Sequence, residues 1–314
     1  MDYKIKTIIS KRRYLLYFIS FSFFILLAFI LWKVATEKRE RLHVNQLVSG
    51  TSRNLNLLAT TKVLNALKGK DDFRFAVMGD CRDNLKQFKK TLEAAARDKP
   101  DFIINTGDLT DSGKYYQYMD LLDSIKGFEI PIISIMGNHD RYNGGVKCFL
   151  HVFGPFDFYF DINSYRFIFV NNTLKQPDPT FVRFPGDANT MDTVAEGINE
   201  YQIREIEKLI QGAKHNFIVM HLPPPLEPFR GYEFYKNGDT FISLMKSHAQ
   251  HISLVLCGHI HGFGETEVDG VRYVVSGGAG ASLHWGGKGI VSKFNYVLVN
   301  VAKNTVTYQV KFLD

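Results

Sequence analysis

Hydrophobic positions follow three regimes along the chain. Residues 14–32 (YLLYFISFSFFILLAFILW) run without a charge, and as a helix they reach just across a hydrocarbon core of about 30 Å. The run ends in Trp32, Lys33, Val34 and Ala35 rather than in a small-residue cleavage site, which predicts an uncleaved membrane anchor over residues 1–35. Residues 36–72 are polar and dotted with leucine. Leu57, Leu64 and Leu67 at near-helical spacing predict a juxtamembrane stalk or helix, a spacer that packs on the domain after it.

From residue 73 to 314 short β-branched or aromatic runs alternate with amphipathic ones, predicting a third region that is a folded domain. Strands are predicted at 73–79, 101–106, 131–136, 157–162, 165–171, 216–220, 252–257, 271–276, 294–301 and 305–312. Helices are predicted at 84–99, with Leu85, Phe88, Leu92 and Ala95 on one face, and near 115–125, 199–211 and 240–249. Alternation followed by a strand-rich end predicts an α/β protein with mixed sheets.

Composition narrows the function. The net charge of +6 resides in residues 1–41, which hold nine basic and three acidic side chains; residues 42–314 balance at 29 against 29. A neutral domain argues against nucleic acid as the partner, because that affinity comes from a basic face. Cys81, Cys148 and Cys257 are too few for a disulfide framework or a cysteine-based zinc site and read as small buried apolar residues. The five cations before the anchor, Lys4, Lys6, Lys11, Arg12 and Arg13, face four after it. That bias predicts a cytoplasmic N-terminus and a periplasmic or extracellular domain.

Five predicted strands end in a polar group able to do chemistry. FAVMG is followed by Asp80, FIINTG by Asp108, ISIMG by Asn138 and His139, FIVM by His221, and LVLCG by His259 and His261. In open α/β sheets ligands bind beyond the carboxyl ends of the strands, so these residues can converge. Two Asp, one Asn and three His offer oxygen and nitrogen donors suited to Mn, Fe, Zn or Ni. Such a set can hold two ions and hydrolyse a phosphoester.

GDCR (79–82), GDLTD (107–111), GNHD (137–140), His221 in HLPPP (221–225) and GHIH (258–261) resemble the ordered motifs of the calcineurin-like metallophosphoesterases, over residues 73–314. The resemblance implies a four-layer α/β/β/α sandwich of two mixed sheets flanked by helices. It implies two divalent metal ions bridged by Asp108, the first also held by Asp80 and His261, the second by Asn138, His221 and His259. It implies attack by a metal-bound hydroxide on a phosphomonoester, phosphodiester or pyrophosphate. His139 becomes the general acid or transition-state stabiliser. Asp140 either orients the His139 imidazole or serves as a cap or turn residue.

One departure stands out: the family's first motif commonly reads Asp-x-His, whereas this chain has Asp80-Cys81-Arg82. A guanidinium stays protonated and cannot ligate a metal, so the first metal site is expected to be weakened. Arg82 can fork a substrate phosphate or pair with Asp83 or Asp111. The alternative function is a degenerate metal-binding or sensing protein that captures a phosphorylated ligand without turnover. The stretch SGGAGASLHWGGKG (276–289) lacks P-loop order and offers His284 and Trp285 as substrate contacts. FLHVFGPFDFYF (149–160) is either core or a hydrophobic groove for a lipid-linked substrate; the motifs also admit a phosphorylated small molecule.

Overall fold

The computed structural model describes residues 2–48, 53–173, 182–183, 197–284, 287, 289–302 and 304–313. Two compact units divide it, Met1–Gln46 and Leu47–Asp314. The first unit is a helix, α1 (Asp2–Val48). Its stretch Phe18–Gln46 is long and apolar enough to cross a membrane, overlapping the predicted span at 14–32. Phe21, Phe24 and Trp32 leave about two thirds of their surface uncovered (65%, 63% and 64%). A row of large bare apolar side chains is costly in water and suits lipid.

In the second unit, α2 (Leu55–Ala66) opens with Asn54, whose side chain accepts the Leu57 N–H. The expected 36–72 spacer therefore divides: its first part continues α1, and α2 is built into the core through Ala59, Val63 and Leu67. Asn56 explains the attachment. Its amide donates to the Ser134 carbonyl and accepts the Ser134 N–H, both at 2.8 Å, so one side chain completes a sheet edge that would otherwise lie unpaired.

Next come β1 (Phe73–Met78), α3 (Leu85–Arg97), β2 (Phe102–Asn105), α4 (Tyr115–Ser124), β3 (Ile132–Ser134) and α5 (Gly145–Val152). They are followed by β4 (Phe158–Ile162), β5 (Tyr165–Phe169), β6 (Val182–Arg183), α6 (Glu200–Gln211), β7 (His215–Val219), α7 (Gly238–Ser247) and β8 (Ile252–Cys257). The chain ends with β9 (Phe263–Val268), β10 (Val271–Ser276), β11 (Ile290–Val291), β12 (Asn295–Ala302) and β13 (Thr305–Phe312). One sheet runs β13-β12-β1-β2-β3 and the other β11-β9-β10-β8-β7-β5-β4-β6. β1, β2 and β3 are parallel, as are β5, β7, β8 and β10, with antiparallel strands at the flanks. Both sheets are mixed, as expected.

Alternation along β1 sends Phe75 and Val77 to the inter-sheet core. There the Phe75 ring stacks on Phe102 at 5.1 Å and meets Phe217 of the other sheet edge-on at 5.2 Å. The other face of the second sheet buries Ile168, Ile218 and Val255 with Ile206 and Ile210 of α6 and Phe241 and Met245 of α7. Phe88, Leu92 and Ala95 of α3 are buried as their spacing predicts. Phe149, Phe153, Phe156, Phe158 and Phe160 are buried too, so the aromatic stretch at 149–160 is core and its reading as a lipid groove is corrected. Sequence patterning missed α5, β6, β9 and β11. β9 carries exposed charge, yet its hairpin to β10 is marked by Asp269-Gly270, both at positive φ (52° and 80°), a turn that Asp-Gly favours.

Candidate active site

Because β1, β2 and β3 are parallel neighbours in one sheet and β7 and β8 in the other, the segments after them leave each sheet at one edge. The first sheet delivers Asp80, Asp108, Asn138 and His139; the second delivers His221, His259 and His261. Asp80, Asp108 and His259 each follow a glycine and adopt left-handed backbone, with φ of 64°, 52° and 70°. That conformation is costly for a residue with a side chain and collects at functional sites. Two strand-end glycines, one before Asn138 and one before His259, are needed for closeness alone. A Cβ on Gly137 would strike the backbone nitrogen and carboxylate of Asp108, and one on Gly258 would press on Thr106 and the Asp80 carboxylate.

Donor atoms from Asp80, Asp108 and His261 lie within 4.8 Å of one another, as do those from Asp108, His221 and His259. The two groups share Asp108. The Asp108 Oδ1 accepts the His139 N–H at 2.9 Å and lies 3.3 Å from His221 Nε2, while its Oδ2 is buried without a hydrogen-bond partner. His221 Nδ1 sits 2.7 Å from the Thr106 carbonyl. A carbonyl only accepts, so Nδ1 carries the proton and Nε2 turns its lone pair toward Asp108 and toward Asn138 Oδ1 at 2.9 Å. Three acceptors facing one another suit a cation between them. His261 repeats the pattern, with Nδ1 on the Ser282 carbonyl at 2.8 Å and Nε2 3.7 Å from Asp80 Oδ1. His259 Nδ1 is buried without a partner. The donor set fits a pair of divalent ions, and the backbone carbonyls fix the imidazole tautomers as partners behind metal ligands do.

Burial acts oppositely on the two chemistries. It pushes the Asp80 carboxyl well up, with the Asp108 charge adding to it, against the His259 N–H that both Asp80 oxygens accept. It pushes His259 well down, reinforced by the neighbouring imidazoles, and His261 down to about 4. Both changes disfavour the charged form in a dry site. The imidazoles are thereby neutral and keep their lone pairs.

For two residues the geometry favours one of the readings left open. Asp140 does not hold the His139 ring: it accepts the N–H groups of Leu109, Thr110 and Gly137 and the Thr110 hydroxyl, at 2.8–3.1 Å. It is the cap of the loop carrying Asp108, and burial beside Asp108 raises it to about 7. The His139 ring is held instead through Nδ1 by the Asp111 carbonyl at 2.7 Å. Arg82 takes the pairing alternative, with Nη2 2.7 Å from Asp111 Oδ1. The Cys81 thiol is buried and donates to the Leu109 carbonyl at 3.0 Å; burial pushes its pKa up, so it stays a neutral core group. His284 is half-buried and stacks on His261 at 4.5 Å, while Trp285 lies outside the described residues. Sequence reasoning did not find the orienting carbonyls of Thr106, Ser282 and Asp111, because a backbone atom leaves no mark on residue type. It also passed over Tyr232, whose ring lies 6.4 Å from that of His259.

Two curated relatives share part of the sequence. One is a probable glycerophosphodiester phosphodiesterase of Arcobacter nitrofigilis, 25% identical over 170 residues, 52% of this chain and 57% of the relative. The other is a probable cyclic nucleotide phosphodiesterase of Synechococcus sp., 26% identical over 168 residues, 52% of this chain and 58% of the relative. The chain thus spans somewhat over half the length of these relatives. Among solved structures, a dimetal phosphatase from Danio rerio aligns with a TM-score of 0.57 at 12% identity, covering 76% of this chain and 96% of that one, which shows the shared fold. A profile of the calcineurin-like phosphoesterases matches residues 73–263. That match takes in every strand-end residue of the two donor groups, and the chain belongs to the calcineurin-like phosphoesterase family.

Proposed function

We propose that the chain is a metal-dependent phosphodiesterase held at a membrane by α1. The observation that carries this reading is the pair of donor groups joined at the buried Asp108 carboxylate. In this reading Asp80, Asp108 and His261 hold one divalent ion, and Asp108, Asn138, His221 and His259 the other; Mn, Fe, Zn and Ni all suit such donors. Bound there, the ions supply Lewis acidity to the phosphoryl group and a lowered pKa to water.

The chain's own residues do the rest. His139 has Nδ1 committed to the Asp111 carbonyl, which leaves Nε2 to deliver a proton to the leaving oxygen. Asp140 keeps the 107–110 loop in place through three hydrogen bonds and ties it to Gly137 with a fourth. Arg82 gives one donor to Asp111, while its Nε is buried without a hydrogen-bond partner. The phosphodiesterase descriptions of both curated relatives support a diester substrate. The five cations before the apolar run support a cytoplasmic N-terminus, with the catalytic domain periplasmic or extracellular.

The test uses the full chain in detergent micelles, with metal content per chain and hydrolysis of bis(p-nitrophenyl) phosphate and p-nitrophenyl phosphate measured with Mn²⁺ added. Two ions per chain and preference for the diester are expected. Asp108→Ala should lose both ions and at least about 10³-fold in turnover, because several kcal/mol of charge stabilisation go with them. Undiminished metal-dependent turnover in that variant overturns the reading, and two bound ions without turnover point to the ligand-capturing alternative.

A further inference from the structure

Five rings form a continuous arc from one donor group to the other. His221 meets His259 at 5.2 Å, His259 meets Tyr232 at 6.4 Å, Tyr232 meets His284 at 5.1 Å, and His284 stacks on His261 at 4.5 Å with its plane tilted only 13°. Three of the five belong to the donor groups. The other two, Tyr232 and His284, have no part in them, yet they close the arc.

Both are held rigidly. Tyr232 lies between Phe229 and Phe234, which are fully buried against the helices behind the second sheet. Its N–H donates to the Phe229 carbonyl at 3.0 Å, and the Phe234 N–H donates to the Pro223 carbonyl at 3.0 Å. The His284 backbone N–H donates to the His261 carbonyl at 3.0 Å, and its ring lies stacked on that of His261. Tyr232 and His284 are each half-buried, so part of each ring stays open.

The charged side chains of the same loop do not reach this wall. Arg230 pairs with Glu227 at 3.5 Å, and the Glu233 carboxylate accepts the Gly231 N–H. Among the described residues, the surface beside the donor groups is therefore aromatic, fixed in place and clear of the loop's charges. A pre-positioned aromatic face binds a flat π-system at low entropic cost.

We infer that Tyr232 and His284 form the subsite for the organic arm of the ester, and that this arm carries a planar aromatic ring stacking on Tyr232. The inference rests on the phosphodiesterase reading of the neighbouring donor groups. It makes Tyr232 and His284 specificity-determining residues.

The test is calorimetric binding to the Mn²⁺-loaded full chain in detergent. The probes are two singly charged phosphinates that contain no ester bond to cleave, methyl(phenyl)phosphinate and dimethylphosphinate. The phenyl compound is expected to bind about tenfold tighter, within the range that stacking on an aromatic side chain supplies. Tyr232→Ala should bring the two to parity with metal content unchanged, and Tyr232→Phe should preserve the difference. Equal binding of the two probes to the unaltered protein, or a phenyl preference surviving Tyr232→Ala, overturns the subsite while leaving the phosphodiesterase reading standing. Failure of both probes to bind a two-ion protein overturns both.

Discussion

The two sheets contribute different chemistry to one site. After β1, β2 and β3 the first sheet presents oxygen donors, Asp80, Asp108 and Asn138; after β7 and β8 the second presents nitrogen donors, His221, His259 and His261. The same burial drives the Asp80 carboxyl toward its neutral acid and the His259 and His261 imidazoles toward their neutral bases. Each sheet alone holds groups that are costly to bury without a counter-charge. Brought edge to edge, they fit a cation that neither side supplies.

Breaking one side at a time separates their contributions. Removing a nitrogen donor with His221→Ala should cost the most, about 10²-fold or more in affinity for the ion it holds, by extension of what partners behind the ligands contribute. The ion beside Asp80 and His261 should persist, so metal titration should show one tight ion instead of two.

Asp140→Asn tests the oxygen side without touching a proposed ligand. An amide turns an N–H toward the Gly137, Leu109 or Thr110 N–H groups, leaving buried donors opposed. The expected cost is about 1–3 kcal/mol of stability, measured by denaturant unfolding.

In metal-free protein the two sides should give opposite pH dependence. Asp140, raised to about 7 from an ordinary carboxyl value, binds more protons folded than unfolded, so its contribution stabilises at low pH and fades as pH rises toward 7. His261, lowered to about 4, binds fewer protons folded than unfolded, so its contribution is present above the ordinary imidazole pKa and fades as pH falls through about 4. Unfolding followed from pH 4 to 7 should therefore slope more steeply upward in Asp140→Asn and more weakly in His261→Gln. The smallest effect belongs to Arg82→Ala: its pair with a half-exposed Asp111 is worth no more than about 1 kcal/mol in stability.

Much of the site was legible in residue order alone. The β1 motif could be read because strand period, terminal glycine and following aspartate are all local; the same holds for β2, β3, β7 and β8. The partner of Asp140 could not be read, since cap and imidazole-orienting carboxylate are the same residue type at the same position. Arg82 offered pairing or phosphate binding for an equivalent reason, and only the placement of Asp111 resolved it.

By itself, then, the sequence determined most of the strands and helices, the apolar N-terminal helix and the candidate donor residues, because periodicity and side-chain chemistry are properties of each segment alone. The tertiary structure decided that Asp108 is common to both donor groups, that Thr106 and Ser282 carbonyls set the His221 and His261 tautomers, and that Tyr232 stands beside His259. Those are distances between segments far apart in the chain, as in the His259 N–H to Asp80 contact across 179 residues, and such distances exist only once two sheets have packed.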